Sequence, residues 1–370
     1  GSGLFLIMAY EFLLEWHRDW YFRNLLPVLQ RGDCSDDDIL SLLPGQMESV
    51  NGDRILPLPI SQGSYGDTSG EQEGWRLTPA ERRRILLSTL SGVDIDRNAV
   101  DTTKILLLVT MMEESGREGL PVPDLSSCIR CGNSIVSPDF LDDPDTSLID
   151  PGSRERMRVF AWEDAFPHII SPGGFDGVIG GFPTYQRESL KGETEYLAKH
   201  YFCFPQTGEL YPCFVERGIS LLRQGGILSA IFPNTWLRAR HGSKLRLFLS
   251  QSGIQEIIDL TYQETGSPAI ARTCIVTVVK GEPSASLSVA RGIFPDTDHF
   301  SHFLEKNRYS VPRCRIGEEI WILADTSAQD LIGKIQNAGT PLAEYVMGAL
   351  YHGIRIGINS PRLIDGVTMK

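Results

Sequence analysis

The chain has 370 residues, 41% hydrophobic and 22% charged, ordinary values for a globular protein and enough for one large α/β domain with an appendage. No apolar run approaches the roughly eighteen residues of a membrane-spanning helix, and no charged-then-apolar leader opens the sequence, so a cytoplasmic protein without membrane contact is expected. The net charge of −12 is unevenly spread: residues 1–185 hold 29 Asp and Glu against 15 Lys and Arg, and residues 186–370 hold 18 against 20, so a polyanion is expected to approach the second half.

Seven cysteines, an odd number scattered over a long chain, do not read as the disulfide framework of a small secreted domain. Cys128 and Cys131 form a C-x-x-C, but no second pair or histidines stand at zinc spacing. Free thiols and no metal site are expected.

Residues 4–30 read as a helix, with Leu4, Ile7, Met8, Phe12, Trp16, Trp20 and Leu25 near helical spacing. It opens on "GSG", a turn whose backbone a ligand can approach closely. From Gly32 to about Gly74 the pattern dissolves into Asp, Gly, Ser and Pro, a loop or lid inserted in the domain. "TPAERRRILLSTL" is a capped helix, with Thr78 at the N-cap, Pro79 at the first helical position and Glu81 third. "SGVDID" follows as a short strand ending in acids, then a helix from Ala99 to Glu114. "SSCIRCGNSIV" supplies a second strand and turn, and "GFDGVIGG" a third strand. "LYPCFVERGISLLRQ" is helical, "GGILSAIFPN" a buried strand, "HGSKLRLFLSQS" helical, and "IQEIIDL" and "ARTCIVTVVK" late strands. Strands alternating with helices predict a doubly wound, mostly parallel α/β sheet covered on both faces.

Such sheets bind ligands outside the carboxyl ends of their strands. Four turns qualify: "GSG" at 1–3, "VDID" at 93–96, "GNS" at 132–134 and "GGFPTY" at 180–185. Asp94, at a strand end, is suited to accept both hydroxyls of a ribose, and Ile95 to pack on an adenine face; Asp96 reads equally as a helix N-cap. A glycine turn followed by a ribose acid points to a nucleoside-bearing cofactor, with the 32–74 insertion accounting for the long spacing between them.

The ordered set of stretches resembles the adenine-specific DNA methyltransferases of restriction–modification systems, including the fused type IIG enzymes, over almost the whole chain. "GSGLFLIMAYEFLL" is similar to the family's cofactor motif Asp-Pro-Ala-Cys-Gly-Ser-Gly-x-Phe-Leu without its first four residues, and the strand that precedes it in the family is expected to be missing from this chain. "LSGVDIDRNAVDTTKILLLV" and "IRCGNSIVSPDF" resemble the next two motifs, and "WEDAFPHIISPGGFDGVIGG" the approach to the catalytic one. "ELYPCFVERGISLLRQGGILSAIFPNTWLRARHGSKLRLFL" resembles the stretch that follows it. "LYHGIRIGINSPRLID", residues 350–365, resembles the opening of a target-recognition domain.

The resemblance implies a class I, Rossmann-like methyltransferase fold with a late antiparallel strand, S-adenosylmethionine as cofactor and double-stranded DNA as partner. A nuclease and a recognition domain, fused or separate, would complete the system. It implies a catalytic domain over 1–280, a connecting region over 281–340 and the start of target recognition at 341–370. Gly1 and Gly3 would lie against the methionine part of the cofactor, with Phe5 of the same motif. Asp94 and Ile95 would hold the ribose and adenine, and Asn133 and Ser134 would lie near the cofactor adenine. The substrate would be an adenine flipped from duplex DNA, received in the family by Asn-Pro-Pro-Tyr: the Asn oxygen and a main-chain carbonyl accept from the amine, and the Tyr ring stacks on the base.

Here the sequence departs from the family. Aligned without a gap, that motif falls on Gly181, Phe182, Pro183 and Thr184; slipped by one residue it falls on Phe182, Pro183, Thr184 and Tyr185. Neither register supplies the amide. The alternative is therefore a non-catalytic DNA-binding or assembly subunit that keeps the fold. A protein-glutamine methyltransferase shares the motif, but has no use for a target-recognition domain. The basic residues Arg238, Arg240, His241, Lys244 and Arg246 are candidate phosphate contacts or a solvated helix face.

Overall fold

The structure, a computed structural model, describes residues 3–31, 39, 42–43, 48–50, 53–55, 58–62, 74–113, 121–143, 151–183, 191–205, 209–260, 273–292 and 299–347. Helix α1 spans Leu4–Asn24, and a separate short turn of helix, Leu26–Gln30, follows it. The single helix expected over 4–30 breaks because Pro27 has no N–H to continue the ladder and disfavours helical geometry before it. Helix α2 spans Pro79–Thr89, and the Thr78 hydroxyl accepts from the Glu81 N–H at 3.3 Å, as the capping pattern predicts. Helix α3 spans Arg97–Met112. It starts two residues earlier than expected because the Asp96 carboxylate accepts from the Asn98 N–H at 2.9 Å and sets the cap.

Strands β1 (Gly92–Asp94) and β2 (Ile129–Cys131) pair in parallel. The main sheet contains β3 (Phe175–Gly181), β4 (Leu222–Pro233), β5 (Ile254–Asp259), β6 (Thr273–Val279), β7 (Ser286–Arg291) and β8 (Arg308–Pro312). Their order is β8-β7-β5-β6-β4-β3. β3 pairs parallel with β4, and β5 with β7, while β6 runs antiparallel between β4 and β5. Four of the six strands therefore share one direction; β6 is the expected late antiparallel strand, and β8 turns back at the edge. β7 and β8 come from the segment expected as a connector, so the sheet continues well past residue 280. Their alternating apolar residues Leu287, Val289 and Val311 complete the core, a pattern that the motif-based boundary overlooked.

Alternation along the strands buries both faces. Leu228, Ala230, Phe232, Ile257, Val276 and Val289 share one core with helices α4 (Tyr211–Leu221) and α5 (Ser243–Gln251), whereas Ile231, Ile258, Ile275 and Ala290 pack with Phe303 of helix α6 (Phe300–Asn307). Trp236 and Trp321, both almost fully buried, meet edge to face at 5.2 Å beneath the first layer.

A second core joins α1, α2 and α3 around Tyr10, Tyr21, Ile85, Leu86 and Leu107. Arg82 ties the three helices together: its main-chain oxygen accepts from the Tyr10 hydroxyl at 2.8 Å, and its guanidinium reaches the terminal carbonyls of α3 at Thr110 (2.7 Å) and Met111 (3.0 Å). The stretch expected as a bare loop or lid is anchored in this core at Ile39, Leu43 and Ile60, and Ile60–Gln62 pairs antiparallel with Trp75–Leu77. The helical spacing that identifies α1 does not identify its buried side. Leu4, Met8, Phe12 and Trp16 are each more than half exposed, whereas Tyr10, Leu14 and Tyr21 face inward.

Among the described residues β3 pairs on one side only, with β4, and β1 on one side only, with β2. The first turn of α1 touches both elements, and that places the candidate site.

Candidate functional site

Two of the four turns read from sequence, "GSG" and "GGFPTY", meet at the start of α1, which also packs on the first residue of β1. Gly3 holds a left-handed backbone (φ 76°) as the residue before the helix, and a methyl group built on it would lie 2.4 Å from the Thr103 hydroxyl of α3. Glycine is thus required there both by its backbone and by the close helix-to-helix approach. A methyl group on Gly92 of β1 would lie 2.5 Å from the Leu6 side chain, and one on Gly181 of β3 would lie 3.1 Å from the Phe5 ring. Consecutive residues of one helical turn therefore face the start of β1 and the end of β3. Gly1, the first residue of that turn, lies outside the described residues.

At the β1 end, the Asp94 carboxylate accepts from the Asp96 N–H at 2.8 Å, folding "VDID" into a turn before α3. Asp96 is the helix cap, and Ile95 stands half-buried between them. The main-chain oxygen of Asp94 accepts from the Gly132 N–H at 2.9 Å, which fastens the "GNS" turn to the "VDID" turn. Asn133 is buried, with its side-chain oxygen accepting from Ile135 N–H at 3.2 Å; its side chain shapes the turn. The Ser134 carbonyl accepts from the Trp162 indole at 3.0 Å.

At the β3 end, Gly181 is exposed and is the last residue of the strand. Phe182 donates its N–H to the Ile231 carbonyl at 3.0 Å and turns its ring into the core, 5.5 Å from Phe214 and stacked at 6.2 Å on Phe232. Phe182 is therefore a packing residue, and of the two aligned positions only Gly181 presents its side to Phe5. Pro183 is exposed; Thr184 and Tyr185 lie outside the described residues. One element that sequence reading passed over stands beside this end. Asn234, immediately after β4, donates its amide to the Asp259 carboxylate at 2.9 Å, and Asp259 lies 3.4 Å from Arg291. An asparagine directly after a buried strand was the available signal.

The basic cluster divides. Arg238, Arg240 and Lys244 are exposed, with Lys244 5.9 Å over the Phe202 ring. His241 is 3.2 Å from Glu209. Arg246 must be removed from the phosphate-contact set. It is 3% exposed and gives its guanidinium to the main-chain oxygens of Ala239 and Glu318 (both 2.8 Å) and Trp236. Burial pulls its pKa below the ordinary value, opposed by Glu319 and Glu318.

The described cysteines are free: Cys203, Cys213 and Cys274 are buried, and burial pushes each thiol up, Cys274 to about 12, which leaves these three unreactive. Among the described residues no helix is long and apolar enough to cross a membrane.

With this geometry in hand, comparison with known proteins is specific. Residues 88–265 match the family described as Eco57I restriction-modification methylase. These residues, just under half of the chain, are similar to an Eco57I restriction-modification methylase domain. The matched stretch runs from the end of α2 through β1 to β5, and thus includes the "VDID", "GNS" and "GGFPTY" turns. Over 294 residues the chain is 24% identical to the type II restriction enzyme and methyltransferase RM.Eco57I of Escherichia coli, which covers 76% of this chain and 24% of that protein. Over 100 residues it is 33% identical to the type II methyltransferase M.TthHB8I of Thermus thermophilus, covering 26% of this chain and 23% of that one. The chain thus spans about a quarter of the length of these relatives. Among solved structures it is similar to the type I restriction enzyme EcoKI M protein, with a TM-score of 0.39 at 14% identity, covering 66% of this chain and 44% of that one. The matched stretch contains the strand ends β1 to β4, and the first turn of α1, upstream of it, packs on Gly92 of β1 and Gly181 of β3.

Proposed function

We propose that this chain is the core of an adenine-specific DNA methyltransferase of a restriction–modification system, using S-adenosylmethionine and working in the cytoplasm with a nuclease and a recognition domain. Its catalytic domain would extend through β8, and residues 341–370 would open target recognition. The observation that carries this reading is the packing of the first turn of α1 on Gly181 at the end of β3 and on Gly92 of β1, the strand that ends at Asp94.

The residues fit a nucleoside cofactor: a carboxylate at a strand end, a half-buried apolar side chain beside it, and a glycine before a helix N-terminus. When bound, the cofactor supplies an electrophilic methyl group. Asp94 would hold the ribose, Ile95 the adenine face, and the main chain at Gly3 the amino-acid end. At the β3 end, Gly181 would leave main-chain carbonyls as the acceptors for the amine of a flipped adenine. Without a side-chain amide, transfer is expected to run about 10² to 10³ below that of an enzyme with the full motif.

The bare Gly181 and the inward Phe182 equally support a second reading, a domain that binds DNA without methylating it. Incubating the chain with tritiated S-adenosylmethionine and unmethylated plasmid separates the two. Slow but cofactor-dependent label in the adenine N6 position is expected; none at long times would favour the binding reading, and label on another base would overturn adenine specificity.

The exposed cations give a separate expectation. Replacing Arg238, Arg240 or Lys244 by alanine should lower the slope of log K against log salt by about 1 each, with melting temperature unchanged. Fluorescence anisotropy of a labelled duplex measures it, and an unchanged slope in all three would remove this face from the DNA path.

A further inference from the structure

We infer that Arg158 is a cofactor-positioning residue that locks the ribose-side and adenine-side turns together. The inference rests on reading those turns as the cofactor site. Arg158 lies outside every stretch that suggested function, in the segment leading to Val159, which bridges to Asn133 in parallel. It is one of two described non-glycine residues with positive φ (47°), a left-handed conformation that L-residues rarely adopt.

That backbone lets one residue grip both turns. Its carbonyl accepts from the Asn133 N–H at 2.7 Å. Its guanidinium Nη1 donates to the Ile95 carbonyl at 2.8 Å and lies 3.0 Å from the Cys131 sulfur. Ile95 follows the ribose acid, and Cys131 ends the strand that carries the "GNS" turn. Two other direct ties join these turns: the main-chain bond from Gly132 N–H to the Asp94 oxygen and a long bond from the Cys131 thiol to the Ile95 carbonyl at 3.6 Å. A thiol is a weak donor, so Arg158 at 2.8 Å is the stronger hold on Ile95. The side chain is exposed and buries little apolar surface, so its contribution lies in orientation more than in core stability. A guanidinium suits this task because it holds two acceptors in fixed directions, which a lysine ammonium does not.

A merely structural strut and a positioning residue differ in what Arg158→Gly does. Glycine removes the side chain and also relieves the left-handed backbone, so the two stability effects oppose each other. Binding of S-adenosylhomocysteine to the 370-residue chain, measured by calorimetry, is expected to weaken about tenfold in Arg158→Gly, the loss of a charge-assisted hydrogen bond at the site. Melting temperature should stay within about 2 °C of the parent chain. Arg158→Lys should recover part of the affinity, and millimolar guanidinium should restore binding to the glycine variant without affecting the parent. Binding within twofold of the parent, or a weakened variant that has lost melting temperature in step and gains nothing from guanidinium, would overturn the inference. Failure of the parent chain itself to bind would instead remove the cofactor reading of both turns, and this inference with it.

Discussion

Replacing Gly181 by asparagine is expected to raise methyl transfer to DNA by about 10² to 10³, the worth of one preorganised acceptor at a reacting centre. The geometry favours the substitution at this residue over its neighbour. The backbone at Gly181 is extended strand, so asparagine brings no strain, and the new Cβ would stand 3.1 Å from the Phe5 ring and 3.5 Å from Ile231. Phe5 is 46% exposed and can yield the few tenths of an ångström required. The amide would then emerge between the start of α1 and the end of β3, where the proposed cofactor and base sites meet. Phe182→Asn makes the contrasting control: it would remove a ring from between Phe214 and Phe232, put an amide in the core and cost about 3 kcal/mol or more. Transfer assays on the two variants, with melting curves, give the result. Equal rates for Gly181→Asn and the parent chain would show that the deficit lies elsewhere.

Arg246→Met should cost about 3 kcal/mol of stability, because a buried carbonyl at Trp236 and part-buried ones at Ala239 and Glu318 lose their shared donor while the methionine keeps much of the packing volume. The loss would loosen the turn after β4 from the segment that carries Trp321, leaving the Trp321 N–H to Leu237 carbonyl bond and the Trp236–Trp321 ring contact to hold them. Denaturant titration should therefore show a clear fall in midpoint. Alanine at the exposed neighbours Arg238, Arg240 and Lys244 should stay within about 0.5 kcal/mol of the parent chain. Two arginines of one basic cluster would thus separate by stability on one side and by salt-dependent DNA affinity on the other.

The difference at Arg246 shows where reading the sequence stops. Position in a basic run cannot reveal whether a guanidinium meets solvent or three carbonyls, because helical phase sets the direction and the decisive partner, Glu318, is 72 residues away. Local signals did carry through: Thr78 and Asp96 cap their helices, and the alternation in "ARTCIVTVVK" is the antiparallel β6. The buried side of α1 was not legible, since apolar residues line several of its faces and the helices packed against it choose among them. The meeting of the start of α1 with α3, β1 and the end of β3 was foreseeable only as order along the chain. Its cause is the packing of one helical turn against Thr103, Gly92 and Gly181 at once. Arg158 left no sequence signal, because its role depends on a left-handed backbone and on a carbonyl and a sulfur from distant segments.

The one-sided pairing of β3 has a consequence for how this protein behaves as a solute. Three of the seven residues of the strand, Gly177, Gly180 and Gly181, have no side chain, and Asp176 is its single charge. Among the described residues this edge lacks the lysines and prolines with which sheets discourage adhesion, its one irregularity lies near the start of the strand between Phe175 and Gly177, and it offers little side-chain pattern to select a register. What occupies such an edge is decided by supply more than by sequence: whichever extended segment is present at the highest local concentration will win it. A tethered stretch of the same polypeptide outcompetes free chains on those terms, and where no such stretch is near, the protein's own copies become the next most abundant supply.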